Sequence, residues 1–111
     1  MGQLIYDSGI HIDINDRTLA HLQIVIYTKL HRGERFPFHW TTPAAQGSGR
    51  GSVWIAPELA IRFKFLGSRQ AAINEEWIEQ LMAAANTPTG LQLIPEPRPA
   101  DRSRTARTRH S

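Results

Sequence analysis

The sequence predicts an α+β fold: a mainly antiparallel sheet, elements in the order ββαβββαβ, and two helices packed on one face. Three observations predict it. Apolar residues alternate with polar ones in "IHIDI", "ERFPFHWT", "SVWIA" and "LAIRFKF", which is the period of a half-buried strand. Leu19, Leu22, Val25, Ile26 and Leu30 recur instead at helical spacing. A well-formed helix start stands at Asn74, and runs of strands interleaved with only two helices describe a segregated α+β domain.

The first two strands, "QLIY" and "IHIDI", flank Asp7-Ser8-Gly9, a hairpin turn signal. Asn15 or Asp16 then caps a helix running to about Arg32, and Gly33 ends it. Ile24 and Tyr27 widen its apolar arc, surface for the C-terminal strand or a partner to cover. In "ERFPFHWT" Phe36, Phe38 and Trp40 share one face, and Arg35, Pro37 and His39 the other. Pro37 has no N–H to donate, so a free edge or a bulge is expected there. Val53 and Ile55 oppose Trp54 in the next strand, and Ile61, Phe63 and Phe65 oppose Arg62 and Lys64 in the one after. These three strands form a central meander with Trp54 in its middle strand.

Asn74 caps the second helix, Glu75 and Glu76 complement its dipole, and Ile73 staples onto Ile78. Trp77, Ile78, Leu81 and Met82 face the core, Pro88 stops the helix, and "LQLI" is a last short strand. The expected core joins Leu22, Ile26, Phe36, Phe38, Trp40, Ile61, Phe63, Phe65, Trp77 and Leu81. Residues 1–96 make one domain. Residues 97–111 make an Arg-rich tail with no large apolar residue, expected to be disordered and dispensable for folding.

The formal charge of +3 divides unevenly along the 111 residues. Eight Lys or Arg against nine Asp or Glu leave residues 1–96 nearly neutral. Arg98, Arg102, Arg104, Arg107 and Arg109 against Asp101 concentrate the positive charge in the tail. With no cysteine there is no disulfide, thiol catalysis or thiolate metal site. "MGQLIY" has neither a signal peptide's apolar run nor the Ser or Thr of a myristoylation motif, and no membrane span is visible. The expected location is the cytoplasm, with no membrane partner.

"DRTLAHLQIVIYTKLHRGERFPFHW", "GSGRGSVWIAPELAIRFKF" and "INEEWIEQLMAAANTPTGLQLIPEP" resemble a family of small uncharacterised actinobacterial proteins. That family is often labelled automatically as "ATP-dependent DNA ligase", and the resemblance runs from about Gly2 to Pro97. The label implies a lysine nucleophile in Lys-x-Asp-Gly. Lys29 is followed by Leu-His-Arg and Lys64 by Phe-Leu-Gly, so neither fits. The chain is also too short for a nucleotidyltransferase, and only an accessory role beside a DNA enzyme survives from the label.

No other catalytic motif stands out. The five histidines form no zinc-like spacing, Ser8, Ser48 and Ser52 lack a nucleophile-elbow context, and neither metal nor cofactor is expected. "GSGRGS" lacks the lysine of a phosphate-binding loop and leads into a strand. Its glycines suit a hairpin connection that needs positive φ, with Arg50 at the tip as the alternative, an anion contact.

The expected outer sheet face shows Arg35, His39, Trp54, Arg62 and Lys64. An aromatic platform ringed by cations can stack single-stranded bases and neutralise phosphates. The same pattern also suits a solvated face, or a protein interface centred on Trp54. Arg102, Arg104, Arg107 and Arg109 add salt-sensitive polyanion binding or merely solubility. The reading is therefore a non-enzymatic module with DNA or RNA as partner. The alternative is a protein-interaction or homodimerisation module.

Overall fold

A computed structural model describes residues 2–7, 9–42 and 49–97. Its elements are β1 (Gly2–Tyr6), β2 (Ile10–Ile14), α1 (Asp16–His31), β3 (Phe36–Thr42), β4 (Gly49–Ile55), β5 (Ile61–Lys64), α2 (Glu75–Ala85) and β6 (Leu91–Gln92). The class and element order are those the sequence predicts. The 97–111 tail lies outside the described residues except for Pro97.

The central meander is not formed. The strands make two sheets, β2-β1-β5 and β4-β3-β6. After Ile55 the chain turns at residues 56–60 (Leu59 N–H to the Ala56 carbonyl, 3.1 Å) and crosses to pair antiparallel with β1, with Leu4 opposite Phe63. The burial of β1 explains the choice. Strand β1 has Leu4 and Ile5 buried on its opposite faces and takes neighbours on both sides. Strand β3 has one side filled by β4 and the other by β6, which lies parallel to it through Phe38–Leu91 and His39–Gln92.

Both helices behave as their caps dictate. Asn15 Oδ1 accepts the Arg17 N–H at 2.9 Å, while Gly33 leaves the helix at φ 77°, the left-handed region glycine tolerates. Asp16, the other capping candidate, instead accepts N–H groups from Leu66 (3.0 Å) and Gly67 (2.9 Å) after β5. Those two donors hold its carboxyl below the usual range, with Gly67 contributing most. Asn74 Oδ1 accepts from Glu76 and Trp77 at the start of α2.

The helices pack on each other, α1 against β1 and α2 against β3 and β6, and this closes one core. Leu22, Ile26, Phe36, Phe38, Trp77 and Leu81 are buried in it. Trp40, Ile61, Phe63 and Phe65 pack against it half-buried. For the β5 residues the reason is the two-sheet arrangement, which makes β5 an edge strand. Ile24 and Tyr27 are left exposed by the C-terminal strand, although Tyr27 meets Phe63 edge-on at 5.2 Å.

Polar bonds tie the C-terminal segment down. Arg17 grips Glu96 with Nε (2.8 Å) and a second nitrogen (2.6 Å), Asn74 Nδ2 donates to Glu96 at 3.0 Å, and Trp77 Nε1 donates to the Ile94 carbonyl at 2.7 Å. The Arg17 guanidinium, then Asn74, pull the Glu96 carboxyl from 4.5 down to about 2. A carboxylate held below its ordinary value stabilises the fold fully above that value and loses the effect as pH falls. Acidification from about 4.5 to 2 should therefore remove about 1–2 kcal/mol here, solvent screening at this half-exposed pair included. Urea unfolding across that range should show the loss in the parent and a flatter response in Glu96→Gln.

Candidate functional site

The residues expected on one face are divided between two. Arg62 and Lys64 project from β5 on the outer side of the first sheet, opposite Ile5 and Gln3. Ile5 stays 7% exposed there, with His11 and Arg62 as its cross-strand neighbours. Arg35 lies just before β3, where its guanidinium binds the Glu58 carboxylate and, at 3.3 Å, the Gly33 carbonyl. That ion pair, chiefly through Arg35, holds Glu58 below the usual carboxylate range. Trp54 belongs to the second sheet, on the edge strand β4 rather than a middle strand. The cause is the crossing of β5 to β1, which takes two of the cations away from the tryptophan. Arg102, Arg104, Arg107 and Arg109 lie outside the described residues.

What the second sheet does assemble follows from its register. Pro37 lies opposite Trp54, His39 opposite Ser52 and Thr41 opposite Arg50, all on the outer face, with Gln92 beside His39 on the far side. Pro37 can give no N–H to β4, so its pair with Trp54 is one without mutual hydrogen bonds. Alternation then makes His39–Ser52 and Thr41–Arg50 the same kind, in which side chains lie closest. The backbone N–H and C=O groups of Trp54, Ser52 and Arg50 consequently turn toward the outer edge of β4. The Trp54 carbonyl accepts the Tyr6 hydroxyl there at 2.6 Å. On the β6 side of Pro37 stands Gly90, just before that short strand begins, so the missing donor faces no ladder partner.

Arg50 is not at a loop tip. Gly49, Arg50 and Gly51 are strand residues, and neither glycine has positive φ. Gly51 serves another purpose: the Trp40 indole lies where its Cβ would be. The loop at 43–48 lies outside the described residues.

His39 is held at both nitrogens. Nε2 lies 2.7 Å from the Thr89 carbonyl, which can only accept, so Nε2 carries the proton. In the neutral ring Nδ1 is then the acceptor, and the Ser52 hydroxyl donates to it at 2.5 Å. The Thr89 carbonyl is itself positioned by bonds at the end of α2: Gly90 N–H to Thr87 O (3.0 Å), Thr87 Oγ1 to Ala84 O (2.7 Å) and to Thr89 Oγ1 (2.9 Å). These groups border a cleft of about 800 Å³ whose lining includes Pro37, His39, Arg50, Ser52, Thr89 and Gln92. Arg50 makes no ion pair among the described residues.

Ser52 and Thr89 were not legible as site residues. His39 and Ser52 are thirteen positions apart, and only the β3–β4 register brings them together. His21, one of the histidines with no sequence role, is fully buried between Arg17 and Asn74. Among the described residues no three His, Asp or Glu side chains are grouped to hold a metal ion, and no helix is long and apolar enough to cross a membrane.

No curated protein and no solved structure matches the chain. One family model does, over residues 1–96, and its description is a domain of unknown function. The chain belongs to that family, DUF7882.

Proposed function

We propose that the outer face of the β4-β3-β6 sheet binds single-stranded DNA or RNA, as a module working beside a DNA enzyme in the cytoplasm. The observation that carries the reading is Trp54, 52% exposed on a sheet face that also bears Arg50. An exposed indole gives a base about 1–3 kcal/mol of stacking. Arg50, four residues along the strand and about 13 Å away, is placed to take a phosphate. The arginine tail adds sequence-independent attraction. Arg62 and Lys64 belong to the other sheet, and the reading does not use them.

A second reading is favoured by the edge of β4. Outward backbone groups at Ser52 and Arg50 suit an added strand from a partner protein or a second copy.

Titration of the full chain with labelled oligonucleotide at two salt concentrations separates the two. Trp54→Ala is expected to weaken single-strand binding about 5- to 150-fold, the equivalent of the stacking energy. Arg50→Ala should lower the salt slope by about one. Unchanged affinity in Trp54→Ala would remove nucleic acid from this face. A parent dimer that Trp54→Ala dissociates, seen by light scattering, would assign the face to protein pairing.

A further inference from the structure

The Ser52–His39–Thr89 arrangement has a property that binding alone does not use. With the ring neutral, the serine hydroxyl donates its proton to one imidazole nitrogen, and the other nitrogen is anchored to a fixed acceptor. Nucleophile, base and orienting group in that order are the geometric requirement for an activated serine. A backbone carbonyl supplies the third member here, and it stabilises the imidazolium that forms when the base takes the proton.

The surroundings meet the remaining needs. Ser52 is exposed at the cleft, so a reacting carbon can reach Oγ. The Ser52 N–H is turned to the outer edge of β4, where no described strand pairs with it, and is a donor for a developing oxyanion. Arg50 stands two residues away on the same face, without an ion-pair partner among the described residues. Among the described residues it is the one Lys or Arg lining the cleft. Trp40, Pro88 and Leu93 supply an apolar section of the same cleft.

We propose that Ser52 is a nucleophile activated by His39, in a site that hydrolyses small esters whose acyl group carries a carboxylate or phosphate held by Arg50. Oγ attacks the ester carbonyl as its proton passes to Nδ1 of His39. The tetrahedral intermediate collapses, the bond to the alcohol oxygen breaks, and His39 returns the proton to the departing alcohol. Water then attacks the acyl-serine and gives a proton to His39. Release of the acid restores the Ser52 hydroxyl with that proton. The proposal stands on the hydrogen bonds of His39 and is independent of nucleic-acid binding.

The test treats the full chain, free of nucleic acid, with a fluorophosphonate probe and locates the adduct by mass spectrometry. Labelling is expected on Ser52, to vanish in Ser52→Ala, and to fall at least about 100-fold in His39→Gln, the scale of general-base assistance. Melting curves accompany each variant, so a fall in labelling counts for the proposal only in a protein that still unfolds like the parent. Two p-nitrophenyl esters, one with a neutral and one with a carboxylate-bearing acyl group, test the substrate class. Arg50→Ala should slow only the second. Absence of an adduct on Ser52, or equal labelling of parent and a folded His39→Gln, would overturn the nucleophile. Equal slowing of both esters would overturn the anionic class.

Discussion

Gly90→Ala is expected to destabilise the domain by about 2–5 kcal/mol, the sum of an overpacking and a left-handed backbone penalty. Gly90 sits at φ 88°, and a Cβ there would collide with the ring and carbonyl oxygen of Pro37. Neither can swing aside, because the Pro37 backbone belongs to the central strand of its sheet. Against a total stability of about 5–15 kcal/mol for a domain, the urea midpoint should fall steeply at unchanged slope. The substitution should also displace Thr89 and release Nε2 of His39, so probe labelling of Ser52 should fall with it. A midpoint within error of the parent would mean that the residues before β6 do not pack on β3.

His21→Leu should cost about 2–4 kcal/mol although it keeps an apolar side chain of similar size. The ring is fully buried, 4.5 Å from Trp77, with Nδ1 donating to the Arg17 carbonyl at 2.7 Å and Nε2 accepting the Asn74 N–H at 2.9 Å. Leucine leaves the Asn74 N–H without a partner, worth about 1–3 kcal/mol, and loses the aromatic contact, worth about 0.5–1.5 kcal/mol. Hydrogen exchange at the Asn74 amide is the direct measurement. Protection should collapse in His21→Leu and be partly kept in His21→Gln, which can still accept. Intact protection in the leucine variant would show that the histidine does not hold the start of α2.

Lys29 illustrates a buried group that periodicity does not reveal. It sits at 3% exposure on the buried side of α1, yet its ammonium reaches Glu34 at 2.6 Å and Asn86 at 2.5 Å, over the Phe36 ring. Lys29 in turn is the main reason the Glu34 carboxyl lies below its usual range. The helical stripe of leucines passes directly through this position, so its polarity disguised its burial. Its stem supplies the apolar packing while its head finds two acceptors.

Local chemistry was enough to determine the elements of this protein. Alternation set the strand faces, Asn15 and Asn74 set the helix starts, and Gly33 ended α1, because each is an interaction among neighbours in the chain. The split of Arg62 and Lys64 from Trp54 was decided elsewhere. β5 can satisfy its backbone against β4 or against β1, and its own alternation fits both. Burial of Leu4 and Ile5 on opposite faces of β1, which makes β1 a strand with neighbours on both sides, selects β1. The Ser52–His39–Thr89 contact likewise exists only after the β3–β4 register and the turn at Gly90 are formed. Strand pairing is a choice among distant segments made by the core as a whole, and no local pattern encodes it.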